Sequence, residues 1–148
     1  MGTRSRIVIK RRTKPHIYFW EHWNGDFEGV GSRICEALHT LLHKYDLAGI
    51  QNLIEAKESG DVFWRFEQTQ DLVDFIEGGV EAYSFCDGDD YLFAYLIDPY
   101  EERVRGRNLG EVFTDVTFAQ IKKGVTFTSP EESDQDYEIV ERRRLIVK

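Results

Sequence analysis

This sequence of 148 residues lacks long apolar runs and contains few cysteines. No apolar run approaches the ~18 residues that a membrane span needs, and the basic amino terminus does not resemble a signal peptide. The two cysteines, Cys35 and Cys86, cannot build the disulfide framework of a small secreted domain. We therefore expect a protein without a signal peptide or membrane association that works in a reducing, intracellular environment.

The composition indicates a folded chain. Hydrophobic residues make up 41% of it and aromatic residues 14%, which excludes a fully disordered polymer. At this length one domain with one core is expected, in which roughly two-thirds of the unfolded surface is buried. Because the sequence shows no internal repeat and no domain boundary, residues 1–148 are predicted to form a single domain.

The net charge of −8 conceals a segregation of charge along the chain. Residues 1–14 contain six cations and no acid, and residues 142–148 contain four cations and no acid. Nine of the 19 cations but all 27 acids lie between these ends, so that part has a net charge of −18. Basic ends on an acidic body attract nucleic acid or the acidic surface of another protein, a second copy included. Alternatively, the cations keep terminal edge strands soluble.

Hydrophobic periodicity in the first half of the chain predicts a hairpin followed by three helices. Ser32 and Asp46 are potential N-caps of the first two helices, and Gly78 and Gly79 stop the third. The predicted elements are strands at residues 7–9 and 16–23 and helices at 32–45, from 47 to near 60, and at 69–77.

The second half of the chain predicts mostly strands. Asp87 and Gly88 favour a tight hairpin, and the strand that follows is apolar on both faces, as in a central strand covered on two sides. Pro99 ends this strand. The predicted elements are strands at residues 80–86, 91–98, 103–107 and 125–128, a short helix at 115–123, an acidic loop at 129–138, and a closing strand at 139–140 and 145–147.

Together these elements predict an α+β fold with a mainly antiparallel sheet. The N-terminal hairpin comes first, two to three helices cover one face, and further antiparallel strands follow. Within this domain, residues 1–14 form a basic N-terminal strand or arm, and residues 142–148 form a basic C-terminal strand or tail.

An aromatic strand that leads into a glycine-rich loop, residues 18–29, is the strongest local motif. It resembles a motif of small uncharacterised proteins of phages and large DNA viruses. Those proteins open with a Thr-Arg pair and a basic strand, and continue with an aromatic strand, His-Trp-Asp-Gly-aromatic, Glu-Gly and a helix. The matching positions here are Thr3-Arg4, residues 7–10, residues 18–23 and Glu28-Gly29, and with the later aspartate-rich hairpin the resemblance covers residues 3–98.

The resemblance implies a viral origin, a location in the host cytoplasm or the virion, and a compact α+β fold. It implies no assigned activity and therefore no catalytic residues. Asn24 stands where the pattern of the family has Asp, so a role that needs a carboxylate at that position does not carry over.

The same loop permits a nucleotide site. A base could stack on Trp20 or Trp23, with its phosphate at the amides of residues 29–32 and paired with Arg4 or Arg6. Nearby acids would repel a phosphate, however, and no Gly-Lys-Ser/Thr of a P-loop follows. The alternative is a turn that needs its glycines for positive φ, with the tryptophans in the core. The residues that this loop brings together are His22, Asp26 and Glu28.

Metal and catalytic signals are weak, and we predict no catalytic residue, no metal and no cofactor. Glu36, His39 and His43 share one face of the first predicted helix, a pattern more typical of a solvated surface than of a zinc site. Cys35 precedes His39 by one helical turn, but it is predicted to pack inward as a small hydrophobic residue.

We therefore predict a non-enzymatic, virus-type interaction protein. Its basic termini would engage an acidic partner surface, such as a second copy, in an oligomer or virion assembly. One alternative is a nucleotide-sequestering module that acts against host defence signalling, and another is a genome-associated binder of nucleic acid. The candidate contact residues are Arg4, Arg6, Trp20, His22, Trp23, Asn24, Asp26, Glu28, Arg142, Arg143 and Arg144.

Overall fold

The N-terminal hairpin pairs β1 (Ser5–Ile9) with β2 (Ile17–Glu21) in the antiparallel sense. The computed structural model describes residues 3–21, 24–57, 63–78, 91–108 and 113–127. The further strands in these ranges are β3 (Phe63–Arg65), β4 (Phe93–Asp98), β5 (Arg103–Asn108) and β6 (Phe113–Thr117). The α-helices in these ranges are α1 (Ser32–Lys44), α2 (Leu47–Glu55), α3 (Thr69–Glu77) and α4 (Phe118–Lys122).

The six strands join one mixed sheet in the order β3-β2-β1-β4-β5-β6. β1 pairs with β4 and β2 pairs with β3 in parallel, while the other three pairings are antiparallel. The predicted α+β class with a mainly antiparallel sheet is confirmed. The basic N-terminal strand lies at the centre of this sheet, because β1 is hydrogen-bonded to β2 on one side and to β4 on the other.

Side chains alternate between two faces of the sheet. The inner face is apolar, and its side chains form one hydrophobic cluster with side chains from all four helices. Residues of this inner face include Ile7, Ile9, Phe19, Tyr95, Ile97, Val104 and Val116. The intervening residues of the same strands form the face that we call the outer face, which includes Arg6, Val8, Tyr18, Trp20, Ala94, Leu96, Arg105, Arg107 and Phe113.

Local signals set the start of α2 and the end of α3 as predicted, whereas the prediction that Ser32 caps α1 is wrong. Ser32 is itself helical, and the residue before it, Gly31, has no side chain that could cap the helix. The side chain of Asp46 accepts a hydrogen bond of 2.8 Å from the amide of Gly49 and so caps α2. Gly78 ends α3 in the left-handed region, with φ of 93°. α2 is shorter than predicted, because its last helical residue is Glu55.

Two predictions in the second half are wrong. Residues 115–117 belong to β6 and not to a helix, which begins only at Phe118. Val116 lies opposite Val104 of β5 and is buried, so strand pairing and burial outweigh the helical pattern there. Residues 125–127 do not form a strand; instead the ring of Phe127 packs against Phe27 and Tyr95 in the core.

Besides β6, two short elements were not predicted from the sequence. Residues 27–31 form a π-helical turn before α1, whereas their glycines predicted an irregular loop. β3 has three residues, which is too short for an alternation to be visible.

Several predicted elements fall outside the described residues: the strand at 80–86, the hairpin at Asp87-Gly88, the acidic loop at 129–138, the closing strand at 139–147 and the basic tail at 142–148. Among the residues that are described, no helix has the length and apolar character needed to cross a membrane.

Candidate functional site

The glycine loop after β2 is closely packed against β1. A Cβ added to Gly25 would lie 2.6 Å from the carbonyl oxygen of Thr3, and one added to Gly29 would lie 2.1 Å from that of Asn24. Neither glycine has positive φ, whereas Asn24 does, at 56°. The prediction that positive φ explains these glycines is therefore wrong: close approach of backbone to backbone requires them.

The amides at the start of α1 are engaged within the loop itself. The amide of Gly29 donates to the side chain of Asp26 at 3.0 Å, and that of Gly31 donates to the carbonyl of Asp26 at 3.2 Å. The amide of Val30 donates to the carbonyl of Asn24 at 2.8 Å, and that of Ser32 donates to Gly29. Because Asp26 occupies the place that a phosphate would take, the predicted nucleotide site at residues 29–32 is contradicted.

Trp20 does not offer a stacking surface in this structure. Its side chain is 2% exposed and lies on the outer face, opposite Arg6 of β1. The ring of Tyr91 meets the ring of Trp20 edge to face at 6.4 Å, and the guanidinium of Arg6 lies 4.8 Å from the centroid of Tyr91. A base could not reach either face of this indole, so the prediction that Trp20 stacks on a nucleotide is wrong.

Of the remaining predicted contact residues, those that the structure describes lie on the glycine loop or beside it: a Cβ added to Gly25 would be 3.1 Å from the carbonyl carbon of Arg4. Arg4 is half-buried, and its carbonyl accepts hydrogen bonds from the amides of Leu92 and Phe93. Asn24, Asp26 and Glu28 are exposed on the glycine loop. His22, Trp23, Arg142, Arg143 and Arg144 lie outside the described residues.

The cations of residues 10–14 are tied into the fold and do not form a free arm. Arg11 is only 3% exposed, and its guanidinium donates to the carbonyls of Ile54 at 3.2 Å and Lys57 at 2.6 Å. The ammonium of Lys10 lies 3.6 Å from the buried carboxylate of Asp98. This part of the predicted basic arm stabilises the domain, because cations and donors satisfy the carbonyls at the end of a helix.

A polar cluster around Glu55 closes the same end of the sheet. Its carboxylate accepts hydrogen bonds from the amides of Arg12 at 2.7 Å and Thr13 at 3.1 Å, and from the hydroxyl of Tyr100. Burial acts to raise the pKa of Glu55, but these hydrogen bonds outweigh it and lower the pKa to about 2. Burial and the hydrogen bond to Glu55 raise the pKa of Tyr100 to about 12. At neutral pH Glu55 therefore stays ionised and Tyr100 stays protonated, so the cluster is a structural contact.

The structure describes one cysteine and the surroundings of the residue types that bind metals. Cys35 is buried in α1, as predicted, and burial raises the pKa of its thiol to about 12. A thiol with so high a pKa is protonated at neutral pH and is a poor nucleophile. In the part of the chain that the structure describes, no three His, Cys, Asp or Glu side chains are grouped so that they could hold a metal ion.

The outer face of β5 carries a row of arginines. Arg103, Arg105 and Arg107 alternate along the strand with Val104 and Gly106, which point to the inner face. Such alternation places the three guanidinium-bearing residues on one side, about 6.8 Å apart along the strand. We call the three arginines, with Leu96 of β4 and Phe113 of β6 beside them, the arginine face.

The ion pairs of this surface are exposed. Arg103 lies 3.0 Å from the carboxylate of Asp115, and Arg105 lies 3.0 Å from that of Glu101, with both side chains of the second pair about half-exposed. Arg107 has no ion-pair partner among the described residues. Exposed pairs of this kind contribute only ~0–1 kcal/mol, so their arginines can exchange one carboxylate for another.

The arginine face also has an apolar component. Phe113 lies opposite Arg107 in the sheet and is 54% exposed, and Leu96 lies opposite Arg105 and is half-buried. Arginine next to exposed apolar side chains is typical of protein interfaces. The sequence predicts the strand at residues 103–107, and the alternation of arginines along it is the signal from which this surface could be predicted.

Comparisons with known proteins give no match for this chain: no family model, no curated protein and no solved structure is similar to it.

Proposed function

We propose that this protein acts by binding an acidic protein partner and not by catalysis, and that the arginine face is its contact surface. The observation that carries the proposal is the row of three arginines on the outer face of β5, next to exposed Phe113. The planar guanidinium group binds carboxylates through two parallel hydrogen bonds, which suits it to an acidic protein surface.

The charge pattern of the sequence predicts binding of an acidic partner through the basic termini; we propose the same kind of binding through β5. Lys10 and Arg11 are engaged by the fold, so they are not free to bind a partner without unfolding that end of the sheet. The arginines of β5 need no such rearrangement, because their ion pairs are exposed. The partner that we propose is a second copy of the chain, in an oligomer or a virion assembly, because the 27 acidic residues of each copy supply carboxylates for the arginines. The net charge of −8 on each copy opposes association at long range, so the contact depends on local pairing of arginine with carboxylate.

Two double variants test the contact surface. Arg105→Gln with Arg107→Gln removes two cations of the arginine face, and Lys122→Gln with Lys123→Gln removes two exposed cations at the end of α4. Light scattering of each protein over a concentration series, between about 50 mM and 500 mM salt, measures association as screening increases. We expect the wild-type chain and the lysine variant to associate at low salt and to dissociate at high salt, and the arginine variant to remain monomeric.

A wild-type chain that is monomeric at low salt and at all concentrations would contradict the proposal. If the arginine variant associates as strongly as the wild type, the arginine face is not the contact surface. A gel shift with single- or double-stranded DNA that the arginine variant loses would assign the surface to nucleic acid, because binding to DNA falls steeply with salt.

A further inference from the structure

We propose that the arginine face binds a peptide segment whose carboxylates recur at every second residue, and that a second copy of this chain supplies it through residues 132–138. This inference rests on the proposed function and deepens it by naming the contact on the partner. It follows from the spacing of the arginines, from the exposure of Arg105 and the partial exposure of Arg103 and Arg107, and from the order of acids in the sequence.

The spacing of the arginines selects the conformation of the partner. Arg103, Arg105 and Arg107 point to one side of a strand, so they repeat every ~6.8 Å and span about 14 Å. An extended peptide repeats its own side chains at the same interval on one side, whereas a helix repeats them at about 5–6 Å every three or four residues. A segment with acids at alternate positions can therefore meet all three guanidinium groups in register.

The sheet around the row leaves space for such a segment. Ala94 and Leu96, which lie opposite Arg107 and Arg105 on β4, are short or half-buried side chains. On the other side Phe113 stands exposed beside Arg107. A peptide strand laid along β5 would contact this apolar border while its carboxylates replace Glu101 and Asp115 as partners of the arginines.

The sequence of the chain contains one segment with this spacing. Glu132, Asp134, Asp136 and Glu138 are acids at every second residue, separated by Ser133, Gln135 and Tyr137. These residues lie outside the described ranges, and their sequence alone supplies the pattern. Because every copy carries both the arginines and this segment, two copies can exchange the contact, and the resulting interface is reciprocal.

Complementary charge reversals test this contact between copies. The first variant carries Arg105→Glu and Arg107→Glu, so that its arginine face becomes acidic. The second carries Asp134→Lys and Asp136→Lys, so that its segment becomes basic. We expect each variant alone to associate at least about tenfold more weakly than the wild type at low salt, and an equimolar mixture to recover association, because opposite charges again meet at both contacts.

The outcomes separate this inference from the proposed function. If Arg105→Gln with Arg107→Gln abolishes association but the mixture does not recover it, the arginine face is a contact surface and residues 132–138 are not its partner. If the wild type is monomeric, both fail. If a chain with all four charge reversals behaves as the wild type and the mixture stays monomeric, the contact forms within one chain and the second copy is wrong.

Peptides test the spacing itself. A labelled peptide with the sequence of residues 129–141 is titrated with the full-length Asp134→Asn/Asp136→Asn protein, and fluorescence anisotropy reports binding. A control peptide has the same composition with its acids clustered in one block. We expect the control to bind at least about fivefold more weakly, because only two of its carboxylates can meet the row at once. Equal binding of the two peptides, or no binding of either, would overturn the inferred spacing.

Discussion

Gly25 lies where the glycine loop meets β1 and β4. Its amide donates to the carbonyl of Thr3 at 2.8 Å, and its carbonyl accepts a buried hydrogen bond of 2.6 Å from the hydroxyl of Tyr95. Burial raises the pKa of Tyr95, so this phenol stays protonated and remains a donor. A side chain at position 25 would disturb both hydrogen bonds, so we expect the stability of the fold to depend on this glycine.

We expect Gly25→Ala to lower the free energy of unfolding by about 1–3 kcal/mol, because its Cβ would overlap the backbone of Thr3 and the Cβ of Ser5. Gly49→Ala in α2 is the control: its Cβ would lie 3.0 Å from a carboxylate oxygen of Asp46, which is a side chain and not backbone, and alanine favours a helix. Urea denaturation measures both. Equal stability of Gly25→Ala and the wild type would contradict the close packing described for the loop.

Glu55 leads to a prediction about pH. Its folded-state pKa of about 2 is below its ordinary value of 4.5, so its contribution to stability is full above about pH 4.5 and is lost as the pH falls toward 2. Glu55→Gln should lower the free energy of unfolding by about 1 kcal/mol at pH 7, and the difference from the wild type should shrink below pH 4.5. Urea denaturation at pH 7, 4 and 3 checks this.

Glu28→Gln, at an exposed position of the π-helical turn, serves as the control for Glu55→Gln. If the difference between Glu55→Gln and the wild type stays constant from pH 7 to 3, the hydrogen bonds of Glu55 do not stabilise its charged form.

At the scale of elements, the end of α2 depends on the turn between β1 and β2. The guanidinium of Arg11 donates to the carbonyls of Ile54 and Lys57 at the end of the helix and to that of Pro15 in the turn. A lysine could not reproduce this fork of donors. The first hairpin and the second helix, which are more than 40 residues apart along the chain, are thus joined by one side chain.

We expect Arg11→Met to lower the free energy of unfolding by about 1–3 kcal/mol, because methionine fills the space but donates no hydrogen bond to the carbonyls of Pro15, Ile54 and Lys57. Lys14→Met is the control, since its ammonium donates to the carbonyl of Lys57 at 3.3 Å from a partly exposed position. Thermal unfolding and urea denaturation compare the two. A loss from Lys14→Met as large as that from Arg11→Met would argue against the buried guanidinium as the stabilising contact.

At the scale of the whole molecule, the sheet has a stable centre and two short edges. β1 and β4 are hydrogen-bonded on both sides and carry buried side chains, among them Ile7, Tyr95 and Ile97. β3 and β6 are the outermost strands of the described sheet. Local opening of a fold has the highest free energy where strands are central and buried, so protection should decrease from the centre outward.

We therefore expect hydrogen exchange to be slowest at the amides of β1 and β4 and fastest, among the strands, at those of β3 and β6. Exchange at neutral pH, followed by mass spectrometry of peptides or by NMR, measures this order. The amides of α1, which packs on the same core, serve as an internal reference for a buried helix. Slower exchange in β6 than in β1 would contradict the strand order.

The local sequence was a good guide where one or two neighbouring residues decide the structure. Asp46 and Gly78 predicted the limits of α2 and α3 because a cap and a left-handed residue act within one helical turn. Pro99 likewise ends β4. For the candidate site, the strand at residues 103–107 was predicted, whereas its role as an open surface depends on which strands flank it.

By itself the sequence determined the α+β class, the first three helices, the burial of Cys35 and the surplus of acid over base, because each depends on composition or on residues close along the chain. Only the tertiary structure decided the parallel pairing of β1 with β4, the burial of Trp20 and the engagement of Arg11 by α2. Those features join residues far apart in the chain, and their free energies depend on which surfaces meet once the core has formed.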